Sequence, residues 1–327
     1  MNKSITTYEV KFRIINLLFC SFKGSLIISP EQMSLRKKKY KIAGLGEVLW
    51  DIFPEEKKIG GAPANFTAHS QQLGAQSFIL SSIGKDALGL EAQRLLRQAD
   101  VDTRGLVVNT DFPTGWVEVF LDTQGNADYK IHDNVAWDYI PFDGTAKKIA
   151  RQLDAICFGT LAQRNSVSQN SIIKILEETP KNCLRVFDVN FRMDFFNPQT
   201  VEQSLNYTNV LKMNDEEFAA ITDMFSIPKS PKKGMFSLID RFDLKMCILT
   251  LGKKGSIMAS NNYFSHHTEI PSIRIKSTVG AGDAFTAAAV MGWLNQKPLD
   301  QINREAADIA AWVCTQLEAV PKLNTKK

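Results

Sequence analysis

Three small or backbone-permissive residues, Gly280, Ala281 and Gly282, stand directly before Asp283 in the stretch KSTVGAGDAFTAAAVMGWL, Lys276 to Leu294. Two chemistries suit that order. An aspartate where a helix begins can cap it by accepting the first free N–H groups. Alternatively, the turn holds an anion at the positive end of the helix dipole. Asp283 then takes the proton of a hydroxyl that attacks a phosphoryl group held there. An ionised carboxylate would repel a bound phosphate unless both charges belong to one reaction. Two other residues add weight to the second reading. Asp51, in LWDIFP, follows an apolar strand at the rim where α/β folds bind ligands. Asn65, in GGAPAN, opens a helix approached by small residues, which leaves room for a compact polar ligand. A carboxylate and a carboxamide together suit a polyol, although each alone also reads as a turn former or a cap.

The elements that must position these residues alternate along the chain. YKIAGLGEVLWDIFP reads as one buried strand and a loop closed by Pro54, and GGAPANFTAHSQQLG as a helix ending near Gly74. QSFILSSIG, LDAICFGT, CLRVFDVN, NVLKMN and LKMCILTLG are apolar strands. DALGLEAQRLLRQAD, SQNSIIKILEETP, VEQSLNY and DEEFAAIT are helical, and a last helix is expected from Ala284 to about Leu294. Strands alternating with helices of this length predict an α/β domain, a mostly parallel sheet covered on both faces. The segment TGWVEVFLDTQGNADYKIH, Thr114 to His132, breaks the rhythm and reads as a hairpin around Gln124-Gly125-Asn126, projecting as a flap or small second sheet.

Composition narrows the function. Of 327 residues, 44% are hydrophobic and 23% charged, as in a globular protein of one large or two smaller domains. The net charge is +4, but residues 1–40 hold eight Lys or Arg against two acids, so residues 41–327 carry −2. A mildly acidic body argues against nucleic acid as a partner. The five cysteines, Cys20, Cys157, Cys183, Cys247 and Cys314, show no metal spacing and read as reduced thiols of a cytoplasmic protein. No apolar run is long enough to cross a bilayer, and IINLLFC is short. The first 32 residues suit an arm strand, a weak export signal or a start codon placed too early. The last is favoured, since Met33 precedes a clean domain opening. A P-loop motif is absent, GLGEVL lacks the third glycine of a dinucleotide turn, and neither G-x-S-x-G nor H-E-x-x-H occurs. The pair His266-His267 has no acid at a ligand spacing.

GGAPANFTAHSQQLGAQSFILSSIGKDALG near the start and STVGAGDAF near the end resemble the two signatures of the ribokinase-like (PfkB) sugar kinases, over about Tyr40 to Pro321. The resemblance implies a three-layer α/β sandwich with a mostly parallel central sheet and a small β lid. Residues 1–38 are then an arm, and 39–327 the kinase domain, with lid segments including about 112–133. It implies Asp283 as catalytic base and Gly280, Ala281 and Gly282 as anion hole. Asp51, Gly60, Gly61 and Asn65 would hold the sugar, and Asn190 and Arg192 of DVNFR would border its pocket. Asn214, Thr250, Gly252 and Gly255 would serve the nucleotide, and Glu217 of NDEE would act through water on magnesium. ATP and Mg²⁺ are the implied cofactors, with a homodimer formed through the lid.

Two departures refine this expectation. Ser277 stands where most members carry an aspartate beside a monovalent cation, which argues against K⁺ activation. Ala62 stands where ribokinases often carry lysine, which leans away from ribose. PTGWVEVFLDTQGNADYKIHDNVAWDYI, FGTLAQR and DVNFR are most similar to the bacterial fructokinase branch, so fructose phosphorylated at its 6-hydroxyl is the first choice. A 2-keto-3-deoxy sugar acid is the second, with Arg192 or Arg164 as carboxylate partner, and ribose a further alternative. Trp116 and Trp137 suit a sugar face or lid core. A catalytically silent sugar-binding regulator is the reading from outside enzymology.

Overall fold

Among the described residues, short apolar runs bounded by turns supply thirteen strands. In chain order they are β1 (Lys41–Leu45), β2 (Leu49–Ile52), β3 (Lys57–Gly60), β4 (Gln76–Gly84), β5 (Leu106–Asn109), β6 (Gly115–Leu121) and β7 (Ala127–Ile131). Then come β8 (Ala155–Phe158), β9 (Leu184–Asp188), β10 (Val210–Asn214), β11 (Met246–Thr250), β12 (Ser256–Ser260) and β13 (Tyr263–His267). The computed structural model describes residues 39–323 except 122–126, 194, 262 and 270–271. The N-terminal arm and the Gln124-Gly125-Asn126 turn therefore lie outside the described residues.

Nine strands form one sheet in the order β13-β12-β11-β10-β9-β8-β1-β4-β5. From β11 to β5 every neighbouring pair is parallel, and β12 and β13 add an antiparallel edge. The connecting helices are α1 (Ala62–Gln72), α2 (Ala87–Gln98), α3 (Gly144–Ala150), α4 (Ser166–Glu177), α5 (Pro198–Asn206), α6 (Asp215–Met224) and α7 (Pro231–Phe242). The chain ends with α8 (Ala281–Leu294) and α9 (Leu299–Cys314). Successive strand residues serve opposite faces because their side chains alternate. On β8, Ala155 and Cys157 pack with Phe66 of α1 and Phe285 of α8, whereas Ile156 and Phe158 join Ile172, Phe218 and Leu238 of α4, α6 and α7. The result is a three-layer α/β architecture with a mostly parallel central sheet, as the resemblance implies.

Helix α8 is apolar all round because it is covered all round. It lies between the sheet, α1 and α9, with Ala284, Phe285, Ala287, Ala288, Ala289 and Val290 buried. Alanine lets α1 and α9 come close to it. Among the described residues no helix is long and apolar enough to cross a membrane.

The other four strands make a second sheet, β3-β2-β6-β7, in which β2 runs antiparallel to β3 and parallel to β6. The expected Thr114–His132 hairpin is thus half of that sheet, and the other half arises from Leu49–Gly60. Asp51 accordingly lies on a strand rather than in a loop. Four residues are too few to show a period of two, which hid β2 in the sequence. The entry to β6 is fastened by Asp86. Its Oδ1 accepts the Gly89 N–H of α2 (2.8 Å) and the Thr114 hydroxyl (2.7 Å), while its Oδ2 accepts the Thr114 N–H (2.8 Å).

Candidate active site

Asp283 and Asn65, 218 positions apart, meet directly: Asn65 Nδ2 donates to Asp283 Oδ2 at 2.9 Å. The reason is helix packing. Asn65 lies in the first turn of α1 and Asp283 in the first turn of α8, and these two helices pack together at the carboxyl edge of the sheet. Helix α8 begins at Ala281, three residues earlier than expected, with Gly280 as the flanking residue at φ 81°. That left-handed turn suits glycine, and a Cβ there would lie 2.2 Å from the Ala319 carbonyl. Asp283 is therefore inside the helix, its carboxylate turned to Asn65 rather than capping. The N–H groups of a first turn have no carbonyl within their own helix; that of Ala281 bonds the Thr278 carbonyl (3.3 Å), which leaves those of Gly282 and Asp283 as the anion-seeking end.

Carboxylates crowd this edge. Burial pushes the Asp283 carboxyl up to about 6, with the neighbouring Asp188 adding to the rise and Asn65, Lys212 and Arg192 opposing it. Burial likewise raises Asp51 to about 6 against Arg192 and Lys58. Glu47, on the loop between β1 and β2, is 2% exposed and is raised to about 7. Its Oε1 accepts the Ala62 N–H at the start of α1 (3.2 Å), and its Oε2 has no partner. Arg192 is a counter-charge common to Glu47, Asp51 and Asp283, favouring the ionised form of each. Gly60 lies against Asp51, where a Cβ would come 2.7 Å from Oδ2, and Gly61 is the residue flanking α1.

These acids bind protons more tightly in the folded than in the unfolded chain. Stability contributed at low pH is therefore lost as pH rises from the ordinary carboxylate range through about 6 for Asp51 and Asp283 and about 7 for Glu47. For Glu47, a rise from 4.5 to about 7 corresponds to roughly 3 kcal/mol. Glu47→Gln should flatten the fall in Tm between about pH 5 and pH 8 that this linkage predicts. An unchanged slope would show that Glu47 does not titrate in this range.

On the other side of Asp283 lies an ion pair that the sequence reading did not single out. Lys212 Nζ, on β10, sits 2.9 Å from Asp188 Oδ1 at the end of β9, both side chains more than nine-tenths buried. Burial alone would lower the lysine, but Asp188, Glu217 and Asp283 together hold it well above its usual range. Asp188 Oδ2 also accepts the Thr286 hydroxyl of α8 (3.1 Å). A lysine inside the apolar strand VLKMN was the available signal, since a buried lysine needs a partner. Glu217 and Asn214 close a reciprocal cap on α6. Asn214 Oδ1 accepts the Glu217 N–H (2.8 Å), and Glu217 Oε2 accepts the Asn214 N–H (2.7 Å). Glu217 Oε1 also takes the Phe191 N–H (3.1 Å), so it braces the loop carrying Asn190 and Arg192.

Thr250 lies beside Asn214 on the neighbouring strand and donates to the Met213 carbonyl (3.3 Å). After it, Leu251 N–H bonds the Gly255 carbonyl (2.8 Å), and Gly252 faces open space. These loops all leave the carboxyl ends of adjacent parallel strands, the position at which open α/β sheets bind ligands. Arg164 and the tryptophans lie differently. Arg164 is buried, pairing through Nε and Nη2 with both oxygens of Asp138 at 2.8 Å and lying 4.0 Å from the Trp137 ring. Its Nη1 is buried and has no partner. Trp137 is wholly buried core, and Trp116 stacks on His132 at 4.2 Å.

A buried carboxylate beside an anion-seeking helix end, on a parallel sheet with a smaller sheet beside it, suits a phosphotransferase that acts on an alcohol. The chain belongs to the pfkB family of carbohydrate kinases, whose model matches residues 32–326. It is 28% identical over 296 residues to a sugar kinase of Pyrococcus horikoshii, covering 84% of this chain and 90% of that one. It is 27% identical over 295 residues to a fructokinase of Salmonella typhimurium, covering 86% and 94%. The crystal structure of the Pyrococcus horikoshii sugar kinase in complex with ATP matches with a TM-score of 0.75 at 26% identity, over 85% of this chain and 93% of that one. A Vibrio cholerae fructokinase bound to fructose, ADP and calcium shares the fold, with a TM-score of 0.73 at 21% identity over 86% and 95%.

Proposed function

We propose that this sugar kinase transfers the γ-phosphoryl group of ATP to a primary hydroxyl of a neutral sugar, fructose to fructose 6-phosphate in the first instance. The observation that carries the reading is the Asn65–Asp283 bond, which sets a base raised to about 6 at the anion-seeking end of α8. A second observation favours a neutral acceptor over a 2-keto-3-deoxy sugar acid. Glu47, Asp51 and Asp283, with Asp188 and Glu217 nearby, outnumber the cations Arg192, Lys58 and Lys212, and Arg164 is paired with Asp138. A further carboxylate would meet net repulsion there. The similarity to fructokinases supports the particular sugar.

Asp283 removes the hydroxyl proton as the oxygen attacks, and the amides of Gly282 and Asp283 hold the phosphoryl oxygens. Asp51 and Asn65 orient the sugar. Asn214, Thr250, Gly252 and Gly255 line the nucleotide side, where open space over Gly252 gives room for a phosphate chain. When bound, ATP supplies the phosphoryl group and Mg²⁺ offsets charge on its oxygens. Among the described residues no cluster of three or more His, Cys, Asp or Glu could cage a metal. That fits an ion held chiefly by phosphates and water, with Glu217 acting from behind the water shell. The smaller sheet, closing over the sugar, would keep out water as a competing acceptor.

A coupled ADP-release assay across fructose, ribose, nucleosides and 2-keto-3-deoxygluconate tests the proposal. The highest kcat/KM is expected for fructose. A higher value for the sugar acid would overturn the charge argument, and binding without turnover of any acceptor would indicate a regulator.

A further inference from the structure

The Lys212 ammonium occupies an unusual place. A Cβ built on Gly282 would lie 3.2 Å from Lys212 Nζ and 3.9 Å from its Cε, so the cation abuts the second glycine of the helix-end turn. An ammonium carries three donors, and the Asp188 bond uses one. The others belong to a buried point charge directly beside the amides that seek an anion. Asp188 is tied in turn to Thr286, whose hydroxyl also reaches the Gly282 carbonyl (2.9 Å), so strand pair and helix end form one bonded unit.

We propose that Lys212 is a catalytic residue of the kinase, contacting the phosphoryl group in flight from the sheet side of Gly282, and that Asp188 is its positioning residue. The inference rests on the reading of the Gly280–Gly282 turn as the anion hole. In the step, the acceptor oxygen forms a bond to the γ-phosphorus while its proton passes to Asp283. The bond from that phosphorus to the bridging oxygen breaks, and the electron pair leaves with ADP. Lys212 exchanges no proton. It donates hydrogen bonds to a phosphoryl oxygen whose neighbours become more crowded with charge as the group passes between two oxygens. Gly282 must then be small for two reasons, access of the phosphoryl group to the amides and room for the ammonium. A purely structural lysine would need only to neutralise Asp188.

The two roles separate in the double variant Lys212→Met/Asp188→Asn, which removes both charges and leaves no unpaired ion. Its Tm should approach that of the wild type, its KM for the acceptor sugar should stay within about three-fold, and its kcat should fall by about 100-fold or more, as for loss of one oxyanion donor. A kcat within about three-fold of wild type would overturn the proposal. In case the double variant does not fold, lysine Nζ resonances of unaltered protein report the same contact. A signal from a buried ammonium should shift on adding ADP, aluminium fluoride and the accepted sugar together, and not with sugar alone. No shift overturns the proposal. Failure of the anion-hole reading itself would show separately, as retained activity in Asp283→Asn.

Discussion

Asp283→Asn should lower kcat by roughly 10²- to 10⁴-fold, about 3 to 5 kcal/mol of barrier, and leave KM for the sugar within a few-fold. The asparagine oxygen can still accept from Asn65, so the contact between α1 and α8 survives while the base is lost. Because burial has raised the carboxyl to about 6, the wild-type rate should climb as pH rises through that value, where Asp283 becomes the free base. The climb should shrink in the variant. Thermal stability above pH 6 should be equal or higher, since a desolvated charge has been removed. Measuring kcat, KM and Tm across pH 5 to 9 checks all of this. Activity within ten-fold of wild type would remove the base assignment.

The largest loss of stability should come from the opposite kind of carboxylate, one that is paired. Asp138 is 2% exposed and Arg164 7% exposed at their side chains, bonded by two parallel contacts of 2.8 Å. The guanidinium also donates to the His132 carbonyl (2.6 Å) and lies between the rings of Trp137 (4.0 Å) and Phe195 (4.9 Å). This joins the segment leaving the smaller sheet to the loop after β8. Arg164→Met should cost about 3 to 5 kcal/mol, because Asp138 is left as an uncompensated buried charge. At two to four degrees per kcal/mol, Tm should drop by roughly 6 to 20 °C. Asp138→Leu/Arg164→Met should recover part of the loss, since a buried pair replaced whole is far cheaper than one broken. A single variant melting within a degree or two of wild type would mean that the remaining carboxylate finds water or another donor.

Both results bear on how a chain of this kind is read. Periodicity identified β1, β4 and β8 to β11, though not β3, β5, β12 or β13, because each side of a parallel sheet is dry, so Ile156 and Phe158 must be as apolar as Ala155 and Cys157. Strand β2 escaped because its four residues do not alternate: Leu49 and Trp50 are buried, while Asp51 and Ile52 are half-buried. The start of α8 was displaced for a related reason. Gly280, Ala281 and Gly282 look like a loop by composition, yet two of them are already helical, since one glycine in a helix costs only about 1 kcal/mol against alanine. Glu47 and Lys212 were visible only as charges inside apolar runs. Their meaning depends on what lies opposite, Ala62 and Arg192 for one, Asp188 and Gly282 for the other.

By itself the order of residues determined the alternating layers, the extra hairpin, and a carboxylate adjoining permissive residues at Gly280 to Asp283, because these are matters of spacing within one element. Only the folded molecule decided that Asn65 holds Asp283, that Arg192 serves three acids, and that Arg164 is already engaged. The physical reason is range. Hydrogen bonds and desolvation act over a few ångströms of space, and residues 218 positions apart acquire such a separation only when two helices pack across the end of a sheet.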